Sequence, residues 1–235
     1  MQLNGSFRIP VTLVRLALAS AVLCGAGAGV SAAASPAAAA SFSPASWTAT
    51  QLGDIDPKVF ALALEAAEAA VSHGQTKDPA TLTVIDYSKP STEKRMWVYD
   101  LRTHALLFDE FVAHGRGSGK TMATAFSNDA SSNKTSLGLF RTGETYVGHN
   151  GYSLRLDGLE PGVNDRARER AIVIHGAPYV NGSTAKANGY LGRSLGCPAV
   201  RPEIAHSLID AVKGGGLLFA YYPDPSWLKS SAFLN

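Results

Sequence analysis

The chain has 235 residues, 46% hydrophobic and 17% charged, which excludes the composition of a disordered protein and leaves room for one ordinary domain or two small ones. Its formal net charge is +2, yet the first 53 residues contain no Asp, Glu or Lys and are charged through Arg8 and Arg15 alone. Without that pair the chain is formally neutral, so it lacks the clustered basic excess of a nucleic-acid binder.

Arg8 and Arg15 precede an apolar run from Leu16 to Val30, and Ala32-Ala33-Ala34 and Ala38-Ala39-Ala40 offer small-x-small cleavage sites. A positive start, a short apolar stretch and an Ala-rich end predict a secretory signal peptide over residues 1–34, with cleavage possible up to residue 40. The run is shorter than the roughly 20 residues that span a bilayer, so no stable membrane span is expected once it is removed. An uncleaved N-terminal anchor is the alternative. The expected destination is the periplasm or cell envelope. Cys24 leaves with the peptide on this reading, and Cys197 remains as an unpaired thiol.

Residues 35–53 are rich in Ala, Ser and Pro and read as a flexible linker, followed by a single domain over 54–235. Asp56-Pro57 supplies an N-cap and a proline at the first helical position, which predicts a helix from Val59 to Val71. From Thr81 the texture turns to β-branched and aromatic residues. Strands are predicted at Thr81–Tyr87, Arg95–Leu101, Ala105–Val112, Ser136–Arg141, Tyr152–Leu156, Ala171–Ile174 and Leu217–Tyr222. Pro202 to Lys213 predicts a helix closed by three glycines. The fold class is mainly β, a sandwich or barrel with an N-terminal helix and one helix after the Cys197 loop. Gly115 to Gly119 lacks the Gly-x-x-x-x-Gly-Lys-Ser/Thr spacing of a phosphate loop and reads as a turn or a loop over a site.

The chemistry concentrates at Cys197 and His175. His175 ends a very apolar strand, Ile172-Val-Ile-His, and the glycines and prolines of the following stretch let the chain fold back toward Cys197. A thiolate, not a thiol, is the nucleophile, and an imidazole can take its proton and later protonate a leaving amine. Gly196 permits close backbone approach, and the N–H groups of Gly196 and Cys197 are candidates for an oxyanion hole. A lone Cys also serves as a small buried hydrophobe and a strand-end His as a framework residue, so the residues alone leave both readings open.

Ile174-His175-Gly-Ala-Pro178 followed by Ser194-Leu-Gly-Cys197 resembles the active-site signature of the L,D-transpeptidase (YkuD-type) family. The blocks Thr142–Tyr146, Ser153–Gly158 and Ala171–Gly176 look especially like its murein L,D-transpeptidase catalytic-domain branch, and the likeness runs from Thr81 to Asp224. Leu195 departs from the pattern, standing where the broad family has a second His, and the loop between His175 and Ser194 is slightly long. The resemblance implies a Cys197 nucleophile, a His175 general base and acid, and a Gly176 carbonyl that orients the imidazole. It implies peptidoglycan stem peptides as partners, carbapenem-type inhibitors, and no cofactor or metal. Stem carboxylates call for cations, so Arg193 and Arg155 are candidate substrate-binding residues, with a solvated surface arginine as the alternative for each. Ser194 either meets substrate or caps its own turn. Tyr152, Asn150 and His149 fall in a turn of unknown orientation, and His114 reads as a strand-end His. Water in place of an acceptor amine would give L,D-carboxypeptidase activity. The competing classes are a zinc hydrolase using His114, His149, His175 and Cys197, and a non-catalytic wall-binding module in which Cys197 merely packs.

Overall fold

The computed structural model describes Gln2 and residues 42–235. The predicted signal peptide and the first part of the predicted linker lie outside those residues. No helix among the described residues is long and apolar enough to cross a membrane.

Eight strands form one sheet in the order β3-β2-β1-β8-β4-β5-β6-β7. They are β1 (Thr81–Asp86), β2 (Met96–Asp100), β3 (Ala105–Glu110), β4 (Gly138–Gly148), β5 (Gly151–Gly158), β6 (Val173–Gly176), β7 (Ala199–Val200) and β8 (Leu217–Tyr221). The late strand β8 lies at the centre, parallel to β1 and antiparallel to β4. All of β1 and most of β8 are buried, as strands covered on both faces must be, although β1 carries Thr81, Thr83 and Asp86 among its apolar residues. Beyond β3, Ala113 bridges antiparallel to Ala199 of β7, with Ala113 N–H donating to the Ala199 carbonyl at 2.9 Å. Across the same seam the Arg201 guanidinium forks onto the Glu110 carboxylate at 2.6 and 2.8 Å. The sheet therefore curls into a near-barrel, which decides between the two architectures the strand pattern allowed.

Helix α2 (Pro57–Ser72) starts at the expected N-cap, where Asp56 accepts from Lys58 N–H at 2.8 Å, and packs on β1 and β8. Helix α4 (Pro202–Val212) packs on β6 and β5. Three helices were not expected. Helix α1 (Ala49–Leu52) is opened by a capping box between Thr48 and Gln51. Helix α3 (Gly182–Asn188) lies in the loop between His175 and Cys197, its Asn181 side chain accepting from the N–H groups of Ser183 and Thr184. Helix α5 (Pro225–Ser230) follows β8, so two helices rather than one come after the Cys197 loop. Residues 42–53, expected as part of the linker, are folded. Trp47 is buried and meets Phe60 and Tyr99 edge to face at 5.0 and 5.5 Å between ring centroids, which fixes this segment to α2 and β2.

Candidate active site

His175 sits near the end of β6. Val173 and Ile174 anchor the strand in the core, and His175 pairs with Ser153 of β5 on one side and Ala199 of β7 on the other. Its Nδ1 lies 3.0 Å from the Gly176 carbonyl, so Nδ1–H donates and Nε2 carries the lone pair. Burial holds the imidazole below its ordinary pKa, partly offset by that carbonyl. Glycine is needed at 176 for packing as well: a Cβ there would stand 2.9 Å from the Ala205 Cβ of α4.

Cys197 stands two residues before Ala199, at the mouth of β7. Its loop is tied down on several sides. Ser194 N–H donates to the His114 carbonyl at 3.0 Å, Arg116 N–H donates to the Ser194 carbonyl at 2.8 Å, and Thr135 Oγ1 donates to the Gly196 carbonyl at 3.3 Å. Gly196 adopts φ of 130°, and a Cβ there would lie 2.9 Å from the Lys134 carbonyl oxygen and 3.0 Å from Ile172 Cδ1. Only glycine fits both conditions.

Ser194 resolves into the turn-capping role. Its Oγ donates to the Cys197 carbonyl at 2.6 Å and accepts from Gly196 N–H at 3.1 Å. That second bond corrects the expected oxyanion pair: the Gly196 N–H is already committed to a hydroxyl, and the Cys197 N–H remains. The half-buried Cys197 thiol donates to the Ala171 carbonyl at 3.6 Å rather than to His175. Burial pushes the thiol pKa up, opposed by the Val173 N–H, the Arg170 charge and the thiol's own backbone N–H. With the thiol raised and the imidazole lowered, the resting pair is neutral.

Cys197 and His175 line one cleft of about 410 Å³, within the size range of small-ligand sites. His149 and Asn150, at the tip of the β4–β5 hairpin, line it too, which settles their orientation. Leu195 is 62% exposed on its rim. Arg193 lines the cleft, with Nη1 donating to the Gly119 carbonyl at 3.1 Å. Arg170 and Tyr179 line it as well, and sequence reasoning missed both. Arg170 stands five residues before His175, in an Arg-rich run that reads as a solvated turn. Tyr179 follows the His-Gly-Ala-Pro motif directly, which was the available signal.

Arg155 is a correction. It projects from β5 onto Glu144 at 3.0 Å and covers the Tyr146 ring at 4.4 Å, and it does not line the thiol cleft. Tyr152 also faces elsewhere, donating to Asp210 at 2.8 Å and stacking on His206. His114 is buried, with Arg95 Nη2 donating to its Nδ1 at 2.8 Å and its Nε2–H donating to the Gly119 carbonyl at 3.3 Å. Both nitrogens are occupied, so His114 is not offered to a metal beside His149, His175 and Cys197.

The family model described as L,D-transpeptidase catalytic domain matches residues 51–221. No curated protein matches the chain. Among solved structures, the LD transpeptidase LdtMt1 in complex with imipenem is similar at 18% identity, covering 61% of this chain and 60% of that one, with a TM-score of 0.36. L,D-transpeptidase 1 of Mycobacterium tuberculosis is similar at 16% identity over 62% and 63% of the two chains, TM-score 0.33. An L,D-transpeptidase of Stackebrandtia nassauensis is similar at 13% identity over 70% and 68%, TM-score 0.37. The chain thus spans less than two thirds of the length of the first two.

Proposed function

Because the chain belongs to the L,D-transpeptidase catalytic-domain family, we propose that it is a cysteine acyltransferase that cross-links peptidoglycan stem peptides in the cell envelope. The observation that supports this reading most is the shared cleft of Cys197 and His175, with Nδ1 of the imidazole tied to the Gly176 carbonyl and Nε2 left as the base.

A donor stem enters with its carboxylate toward Arg193. His175 Nε2 takes the thiol proton, and the Cys197 sulfur attacks the carbonyl between the L-centre of the diamino acid and the terminal D-Ala. The tetrahedral oxyanion draws on the Cys197 N–H. The C–N bond then breaks, the imidazolium protonates the leaving amine, and D-Ala departs, leaving a thioester on Cys197. An amine of a second stem attacks that thioester, losing its proton to His175. The new amide is the cross-link, and the sulfur recovers a proton as it leaves. Because the resting pair is neutral, His175 takes the thiol proton as the sulfur attacks the carbonyl. The exposed rim at Leu195 admits water to the thioester, which supports hydrolysis as the secondary outcome and would make the enzyme an L,D-carboxypeptidase.

The test is mass spectrometry of the protein incubated with disaccharide-tetrapeptide. Dimers with D-Ala release and an acyl adduct on Cys197 are expected, both lost in Cys197→Ala, with His175→Ala losing turnover. D-Ala release by the Cys197→Ala variant would end this mechanism. Tripeptide without dimer would assign the carboxypeptidase reaction.

A further inference from the structure

Arg170 ends the turn that leads into β6 and reaches back beneath the thiol loop. Nη1 donates to the Ser127 carbonyl at 2.7 Å and to Ser136 Oγ at 2.6 Å. Nη2 donates to the Lys134 carbonyl at 2.6 Å and to Ser132 Oγ at 3.3 Å. All four acceptors belong to one segment, 127–136, and that segment is itself fastened to the thiol loop through Thr135 and the Gly196 carbonyl. The guanidinium lies half-buried on the edge of the thiol cleft.

Its charge is what sets it apart from its neighbours. Arg166 pairs with Glu169, and Arg168 pairs with Glu144 and Asp157. Arg170 has only carbonyls and hydroxyls as hydrogen-bond partners among the described residues. Asp129 acts on it through space without a hydrogen bond, and a half-buried cation so placed keeps its charge in a medium of reduced dielectric, where it acts on whatever ionises nearby. We propose that Arg170 is the positioning residue that governs ionisation of Cys197: its fork braces the 127–136 segment under the thiol loop, and its charge stabilises the thiolate when His175 takes the proton.

The groups that face the thiol have different parts. Tyr87, just after β1, and Tyr179 act against the thiolate only if they ionise, and burial holds both up to about 12. His175 is the proton acceptor. His149 lines the outer cleft, and Arg193 is directed to the Gly119 carbonyl and the Tyr190 ring. Arg170 is the side-chain cation that pulls the thiol pKa down against burial, and the thiolate in turn supports the Arg170 charge. A lysine would keep the charge but could not span four acceptors, because its ammonium is a compact point charge on a flexible stem.

The inference rests on Cys197 as the nucleophile, yet its test needs no stem peptide. The rate of iodoacetamide alkylation of Cys197 is followed across neutral and alkaline pH in the wild type and in Arg170→Gln, Arg170→Met and Arg170→Lys. The neutral variants are expected to raise the apparent thiol pKa by about one unit, slowing alkylation at neutral pH roughly tenfold. The Lys variant is expected to recover most of that rate while losing thermal stability, since the fork is gone. Gln and Met serve as alternates, so that one misfolded variant leaves the other to decide. A folded neutral variant with the wild-type pH profile would overturn the inference, as would a Lys variant no faster than Gln. Because alkylation reads the thiol alone, failure here and failure of the turnover assay are separate results.

Discussion

His114 and His175 differ in what their ring nitrogens meet, and the difference predicts two pH responses. A second proton on His114 would confront the Arg95 guanidinium inside the core, and burial with that charge lowers its pKa from 6.5 to about 4. Between those values the unfolded chain takes a proton that the folded chain refuses. Stability therefore falls as the pH falls through this window, by on the order of 3 kcal/mol. Urea unfolding at neutral pH and near pH 4 measures it, with His114→Gln expected to show a shallower loss. His175 is also lowered, so it stays a neutral base below the ordinary imidazole pKa, and the acid limb of kcat/KM is expected below pH 6.5. Gly196→Ala is expected to abolish acylation of Cys197 by a carbapenem while the protein stays folded, because the side chain would push the thiol loop off the Lys134 carbonyl. At this scale the meeting of Cys197 and His175 in one cleft was legible, because few residue types are candidates for nucleophile and base. The arginines were not. Whether Arg155 or Arg170 meets the cleft depends on which carboxylate the fold brings alongside, and Glu144 takes Arg155.

The elements were legible where their composition was one-sided. β1, β2, β3 and β8 follow their β-branched and aromatic runs within one or two residues. The β4–β5 hairpin was underestimated because its outer half mixes Gly, Thr and Glu with the half-buried Tyr146 and the exposed Val147, so no run of one character marks it. Asn181-Gly182 reads as a turn, yet its asparagine caps α3, and Asp224-Pro225 opens α5 with the same cap and proline that announce α2. The segment before Asp54 hid behind its Ala, Ser and Pro content although it contains a tryptophan. Trp47→Ala is expected to cost about 3–5 kcal/mol in denaturant unfolding, the usual cost of deleting a buried large aromatic. Trp47→Phe is expected to cost far less, since the Trp47 Nε1–H is buried without a partner among the described residues and its loss removes an unmet donor.

For the whole molecule, strand content was legible and strand order was not. Nothing local says that Leu82 lies beside Leu217, because that pairing is set by which apolar faces can be covered together. β8 alone joins the β3-β2-β1 group to the β4-β5-β6-β7 group within the sheet, and the far seam adds Ala113–Ala199 and Glu110–Arg201. A chain ending at Gly216 is therefore expected to lose its cooperative thermal transition, measured by circular dichroism. The position of β8 also orders events in time. The strand that completes the sheet comes after all the other strands in chain order, so neither half finds its central neighbour until β8 has been made. Distant pairing of this kind makes closure a slow step. Until β8 is made, β1 and β4 each present an unpaired edge to the other.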